Sequence, residues 1–242
     1  MYGWRARLGI LVPSMVLPTE PEFYLMRPEG VSIHFSRFFF TGSGGDPEKL
    51  KVLKNLLPEA ARLLATTGCQ AMAMCCTAGS FIGGYGYDQE LIRIMQEANG
   101  GLPTTTASTS IYQACRYLGV KRIAMATPYE EVPAKIERQF MEDNGLEVVD
   151  LVWCPNKAGY ANYADFPPEK IFEIAKRADK PEAEAIFISC VDLHVVAIIQ
   201  KLEQDLGKPV ISSNQACFWH TLRLAGVNEK IEGYGTLLTN PS

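Results

Sequence analysis

Two matching places in this sequence offer thiol chemistry. The stretch AMAMCCTAGSFIGG, residues 71–84, is an apolar run that ends on Cys75 and Cys76 and opens into Thr, Ala, Gly and Ser. AIFISCVDLH, residues 185–194, ends another apolar run on Cys190. A thiol at such a junction sits where a strand gives way to the N–H groups of a starting helix, and those groups with the helix dipole favour an anion. The same surroundings lower a thiol's pKa from its ordinary value of about 8.5. The small residues after Cys76 therefore predict a thiol brought toward neutrality beside a carboxylate cradle. VDLH after Cys190 predicts the same, with Asp192 partly opposing thiolate formation. The seven cysteines, Cys69, Cys75, Cys76, Cys115, Cys154, Cys190 and Cys217, contain no CxxC and no histidine partner at metal spacing. Neither a disulfide framework nor a metal centre is expected.

Alternating elements would have to position these thiols. Apolar runs at 7–13, 69–76, 122–128, 184–190 and 207–214 read as buried strands, with a further strand signal in GLPTTTAS. Helical spacing runs through 46–68, 110–119, 167–178, 195–207 and 215–226. The first of these helices opens with Asp46 as N-cap and Pro47 at the first helical position, and Pro58 is expected to kink or split it. Strand alternating with helix predicts an α/β protein with parallel sheet covered on both faces.

The two halves echo each other. RLGILVP at 7–13 pairs with RIAMATP at 122–128, and the interval from Pro13 to Cys76 (76 − 13 = 63) nearly equals that from Pro128 to Cys190 (190 − 128 = 62). A duplicated lobe follows, with both cysteines at the carboxyl ends of strands, where open α/β sheets bind ligands. Laying AMAMCC on AIFISC sets Cys76 opposite Cys190 and Cys75 opposite Ser189. Neighbouring strand residues point to opposite faces, so Cys76 is the thiol for chemistry and Cys75 a packed core thiol.

At 242 residues, 47% apolar and 21% charged, the chain has the make-up of a soluble globular protein. A net charge of −4 gives no electrostatic case for a nucleic-acid partner. No apolar segment approaches the roughly 20 residues that cross a bilayer. MYGWRARLGILVP lacks the pattern of a secretory signal, so a cytoplasmic protein is expected.

The blocks LGILVPS with EPEF, CTAGSFIGG, PTTTAS, LGVKRIAMATPY, AIFISC and LGKPVISSNQACFWHTLRLAG span nearly the whole chain. Together they resemble the Asp/Glu racemase superfamily, specifically its branch of maleate cis–trans isomerases and arylmalonate decarboxylases. That resemblance implies two flavodoxin-like lobes, residues 1–112 with 214–242 and residues 113–213, related by a pseudo-twofold axis with the active site between them. It implies a small carboxylate or dicarboxylate substrate, no metal or organic cofactor, and a homo-oligomer. The thiolate matching Cys76 would add to an alkene carbon, the bond would rotate, and elimination would follow, while Cys190 supplies or removes a proton. Arylmalonate decarboxylases have glycine at the first position, so the presence of both thiols favours two-thiol chemistry.

Other positions carry over one at a time. Tyr129 resembles the tyrosine that binds substrate carboxylate, and Ser14 with the N–H groups of Thr77, Ala78, Val191 and Asp192 would build two carboxylate cradles. Thr105 and Ser213 end strands beside the cleft or cap the helices that follow; Asn162 reads more readily as a loop residue than as a ligand. One departure stands out. Maleate isomerases carry Asn-Thr shortly after VPS, where this chain has Val16 and Leu17. Losing an amide donor to a charged partner removes about 1.5–3 kcal/mol and leaves that subsite apolar. The expected function is isomerisation of a small carboxylic acid, most simply of maleate type. A racemase, a decarboxylase of substituted malonates, or a carboxylate-binding protein without turnover are the alternatives.

Overall fold

The computed structural model describes residues 2–40, 52–154 and 160–240, so Asp46 and Pro47, the expected start of the first helix, lie outside the described residues. Two four-stranded parallel sheets form the frame. In the first, β1 (Ala6–Pro13) is flanked by β2 (Val31–Phe38) and β3 (Ala71–Met74), and β4 (Thr104–Thr106) pairs with β3. In the second, β5 (Arg122–Thr127) is flanked by β6 (Glu147–Trp153) and β7 (Ala185–Ile188), and β8 (Val210–Ser212) pairs with β7. The order β2-β1-β3-β4 recurs as β6-β5-β7-β8, the flavodoxin-like order in each of two lobes.

The central strands are those the apolar runs predicted. Leu8, Ile10, Leu11 and Val12 of β1 are wholly buried, as expected of a strand covered on both faces. The duplication reaches individual hydrogen bonds: Cys75 N–H donates to the Leu11 carbonyl at 2.8 Å, and Ser189 N–H to the Ala126 carbonyl at 2.8 Å. The edge strands β2 and β6 were not anticipated. In β2, buried Val31 and Ile33 alternate with partly exposed Ser32 and His34, a half-covered pattern that no continuous apolar run marks.

Helices cover the sheets. α1 (Thr19–Met26), α2 (Leu53–Ala65), α3 (Thr77–Phe81), α4 (Tyr87–Asn99) and α5 (Ala107–Tyr117) belong to the first half of the chain. α6 (Glu131–Asp143), α7 (Pro168–Ala178), α8 (Ile199–Leu206), α9 (Ser213–Leu224) and α10 (Thr236–Thr239) follow. Pro58 neither splits nor ends α2, because the carbonyl left without its N–H is that of Lys54, in the first turn. α5 and α9 pack on each other, α9 also lies on β3 and β4, and α5 touches β8, so each ties the two lobes together.

Candidate active site

Each sheet reverses strand order at its central strand, and the crevice beyond the strand ends at such a point is where these folds bind ligands. In the first lobe that point brings together Ser14 after β1 and Cys76 after β3. In the second it brings together Tyr129 after β5 and Cys190 after β7.

Cys75 is wholly buried with its Sγ 3.0 Å from Cys217 Sγ, the core position expected of it. Cys76 is the N-cap of α3, in extended backbone conformation (φ −149°), and the Gly79 N–H favours its ionised form. A Cβ at Gly79 would lie 2.8 Å from Cys76 Sγ and 2.2 Å from Leu53 Cδ1. The glycine in CTAGSF is therefore the residue that lets the sulfur lie against its own helix. Gly79→Ala is expected to displace the thiol and destabilise the protein by about 1–3 kcal/mol, read as a lowered denaturation midpoint. Turnover should fall more steeply than stability, because misplacing a reacting group by about 1 Å can lower the rate about a hundredfold.

Cys190 differs from its counterpart. Its φ is +94°, and it is the one non-glycine residue with positive φ among the described residues. Its N–H donates to Ser213 Oγ at 3.0 Å, and its thiol receives the Asp192 N–H at 3.4 Å and the Tyr129 hydroxyl. No helix starts after Cys190, contrary to the expectation from VDLH. The chain turns instead and enters a short 3-10 segment at Val196–Ile198 before α8. The turn points the Asp192 N–H at the sulfur, so that N–H does not line a carboxylate cradle as expected.

Burial also reverses the expected titration. It pushes the Cys76 thiol up to about 12, overriding the Gly79 N–H, with the Asp192 charge adding to the rise. Burial raises Cys190 further, helped by Asp192 and Glu137. Both sulfurs are thus thiols at rest at neutral pH. Asp192 itself is pushed up to about 6 by burial, and its Oδ1 accepts the Leu17 N–H at 3.2 Å. Asp192 acts on Cys76 and Cys190 alike, and Tyr129 feels both sulfurs, so these four groups are neighbours.

Thr77 and Ala78 open α3, where helix N–H groups lack intrahelical acceptors, and the Thr77 Oγ1 is buried without a partner among the described residues. The Thr77 carbonyl accepts Ser80 Oγ (2.9 Å) and Ser108 Oγ (3.3 Å), while Asn214 Nδ2 holds the Val191 carbonyl at 2.9 Å. Residues 77 and 191 each follow a cysteine, so both junctions are tied down by their carbonyls.

Ser14 departs from its expected role. Its hydroxyl exchanges hydrogen bonds with the Phe40 backbone and its N–H donates to the Phe38 carbonyl, which commits it to the loop. Arg37, unforeseen from sequence, donates to the carbonyls of Ser14 and Val16 and pairs with Glu20 at 2.6 Å. Val16, expected to make a substrate subsite apolar, is buried and packs with the apolar core. Thr105 and Ser213 cap nothing; the caps are Thr106 and Ser212, whereas Thr105 meets His220 Nδ1 at 2.9 Å. Asn162 is an exposed loop residue that caps the 3-10 turn Tyr163–Asp165. Tyr163, which meets Tyr129 edge-on at 5.9 Å, and Tyr87, which feels Cys76 and whose buried hydroxyl has no partner among the described residues, were also unforeseen. No spacing marks either tyrosine; tertiary packing alone carries them to the cleft.

Among the described residues no group of three His, Cys, Asp or Glu is placed to hold a metal ion, and no helix is long and apolar enough to cross a membrane. A family model described as arylmalonate decarboxylase matches residues 9–238. Arylmalonate decarboxylase from Bordetella bronchiseptica is 31% identical over 237 residues, covering 93% of this chain and 96% of the relative. Maleate isomerase from Geobacillus stearothermophilus is 25% identical over 248 residues, covering 96% and 97%. The crystal structure of a maleate isomerase from Pseudomonas putida superposes with a TM-score of 0.87 at 25% identity, covering 97% of this chain and 98% of that one.

Proposed function

This chain belongs to the arylmalonate decarboxylase family, and from that premise we propose that it isomerises a small carboxylic acid through Cys76 and Cys190, with maleate-type cis–trans isomerisation as the first reaction to test. The carrying observation is that two cysteines at duplicated strand ends share Asp192 and Tyr129 as neighbours. A single-thiol reaction needs no such pair.

In this reading the Thr77 hydroxyl and the first N–H groups of α3 hold a substrate carboxylate. Cys76 gives its proton to Asp192, the anion whose charge bears on it, and the thiolate so formed adds to one alkene carbon while Cys190 gives its proton to the other. The single bond left between them rotates. Elimination then returns one proton to Cys190, and the released Cys76 sulfur takes its own back from Asp192, so nothing is consumed. Tyr129, donating to the Cys190 sulfur, keeps that thiol aimed at the substrate.

The test is incubation with maleate under reducing conditions, followed by NMR. Fumarate is expected from the wild type and from neither Cys76→Ala nor Cys190→Ala. Absence of fumarate from the wild type rejects maleate, and a panel of citraconate, aspartate and alkyl- or arylmalonates then follows. Val16 favours one second reading, decarboxylation of a substituted malonate, because its isopropyl group makes that subsite suit an alkyl or aryl group. Under that reading Cys76→Ala keeps decarboxylation and Cys190→Ala abolishes it.

A further inference from the structure

The echo between the halves extends to two buried acids. Glu22 on α1 and Glu137 on α6 are separated by the same interval as Pro13 and Pro128 (137 − 22 = 115; 128 − 13 = 115). Both are buried, Glu22 with 4% of its surface exposed and Glu137 with none. A carboxyl group is placed in such surroundings only with partners, and here the partners lie on the two sides of one residue.

Ser189, immediately before Cys190, donates its hydroxyl to Glu137 Oε1 at 2.5 Å. Beyond Cys190, the Val196 N–H donates to Glu22 Oε1 at 2.7 Å. Asn214 donates to Glu22 Oε2 at 2.7 Å and, with the same Nδ2, to the Val191 carbonyl at 2.9 Å. Thr19 Oγ1 closes that cluster on Asn214 Oδ1 at 3.0 Å. Glu22 comes from the first half of the chain and Glu137 from the second, yet both bear on the second cysteine, the one whose backbone is strained.

We infer that Glu22 and Glu137 are paired positioning residues for Cys190, gripping the chain before and after it so that a left-handed residue presents its thiol to the cleft. The inference rests on the two-thiol reading for its catalytic meaning, although the grip itself is a property of the free protein.

Glu137 also acts on the sulfur through its charge. Burial pushes it up to about 8 and Glu22 up to about 7, so Glu137 is largely a neutral acid at neutral pH. Its Oε2 has no partner among the described residues, and its charge, once formed, opposes ionisation of Cys190 and of Tyr129. The other groups bearing on Cys190 are Asp192 and Tyr129. Of the elements packed on α6, α3 carries no titratable side chain. β6 carries Glu147, which is exposed, and Asp150, paired with Lys180 at 3.0 Å. Around α1, β2 carries His34, bonded to Ser32, and Arg37, paired with Glu20; α9 carries His220, bonded to Thr105, and Arg223.

The test follows alkylation of each cysteine by iodoacetamide, peptide by peptide, as a function of pH in the wild type, Glu137→Gln, Ser189→Ala and Glu22→Gln. Glu137→Gln keeps a hydrogen bond to Ser189 but cannot ionise. It should move the Cys190 profile to lower pH, with alkylation at pH 9 faster several-fold and the Cys76 profile nearly unmoved. Ser189→Ala, which keeps the charge and cuts the grip, should leave the Cys190 midpoint in place but lower kcat with little change in KM. Glu22→Gln should lower kcat in the same way. An unmoved Cys190 profile in Glu137→Gln, or Cys76 and Cys190 shifting alike, would overturn the role of Glu137. Unchanged kcat in both Ser189→Ala and Glu22→Gln would overturn the grip. Alkylation is read without substrate, so a shifted profile in a protein that turns over no small carboxylate sinks the functional reading and leaves the Glu137 effect standing.

Discussion

Cys190→Ala and Cys190→Gly are both expected to lose turnover by about 10²–10⁴-fold, the usual contribution of a positioned proton donor, yet to differ in stability in an inverted order. In regular structure glycine is less stable than alanine by about 0.5–1 kcal/mol, because its unfolded chain has more freedom to lose. Position 190 has φ +94°, where an L-residue is strained by about 1–3 kcal/mol and glycine is not. The glycine variant should therefore unfold at higher denaturant than the alanine variant. Both lack the thiol, so their comparison isolates the backbone. Alanine equal to or above glycine in an equilibrium urea titration would mean that the strain is absent. The strain survives because Ser189, Ser213 and the Asp192 N–H hold the residue from several directions, and it stands where the chemistry is proposed.

Thermal stability is expected to fall as pH rises from about 4.5 to 8, against the common pattern of greatest stability toward neutrality. The three buried acids around Cys190 drive this. Burial raises Glu22 to about 7, Glu137 to about 8 and Asp192 to about 6, from ordinary values of 4.5, 4.5 and 3.8. Between the ordinary and the raised values the folded protein keeps protons that the unfolded chain has released. Its stability relative to the unfolded state is then fully present below about pH 4 and is lost as pH climbs through the raised values. The combined effect is of order several kcal/mol. His220, lowered by burial to about 4, and His194, lowered likewise, oppose the fall below about pH 6.5 and make it shallower there. Glu184 and Asp205, shifted down by N–H and cationic partners, are solvated and contribute little. Melting curves from pH 5 to pH 9 check this, and a midpoint that is flat or rises over that range would reject it. Glu137→Gln should make the fall shallower throughout the interval from about pH 4.5 to 8.

The residues themselves determined more here than a single chain often does. The duplicated apolar runs identified the central strands of both sheets, and the period-2 rule separated Cys75, packed against Cys217, from Cys76 at the head of α3. Both conclusions follow from local rules: a parallel strand buried on two faces must be apolar throughout, and adjacent strand residues must face opposite ways. The echo also held Glu22 and Glu137 in register, legible in principle but hidden because isolated glutamates carry no pattern. The edge strands escaped for a related reason, since half-covered alternation is a weak signal.

What only the tertiary structure decided is electrostatic and conformational. A helix N-terminus after Cys76 argued for a thiol near neutrality, and depth of burial decided otherwise, because removing water from a charge outweighs a hydrogen bond from a short helix. VDLH after Cys190 argued for a second helix start. The grips of Glu137, Ser213 and Glu22, reaching in from distant parts of the chain, make it a left-handed turn instead. Solvent exclusion and long-range hydrogen bonds depend on which segments meet, and that information lies in no local stretch of residues.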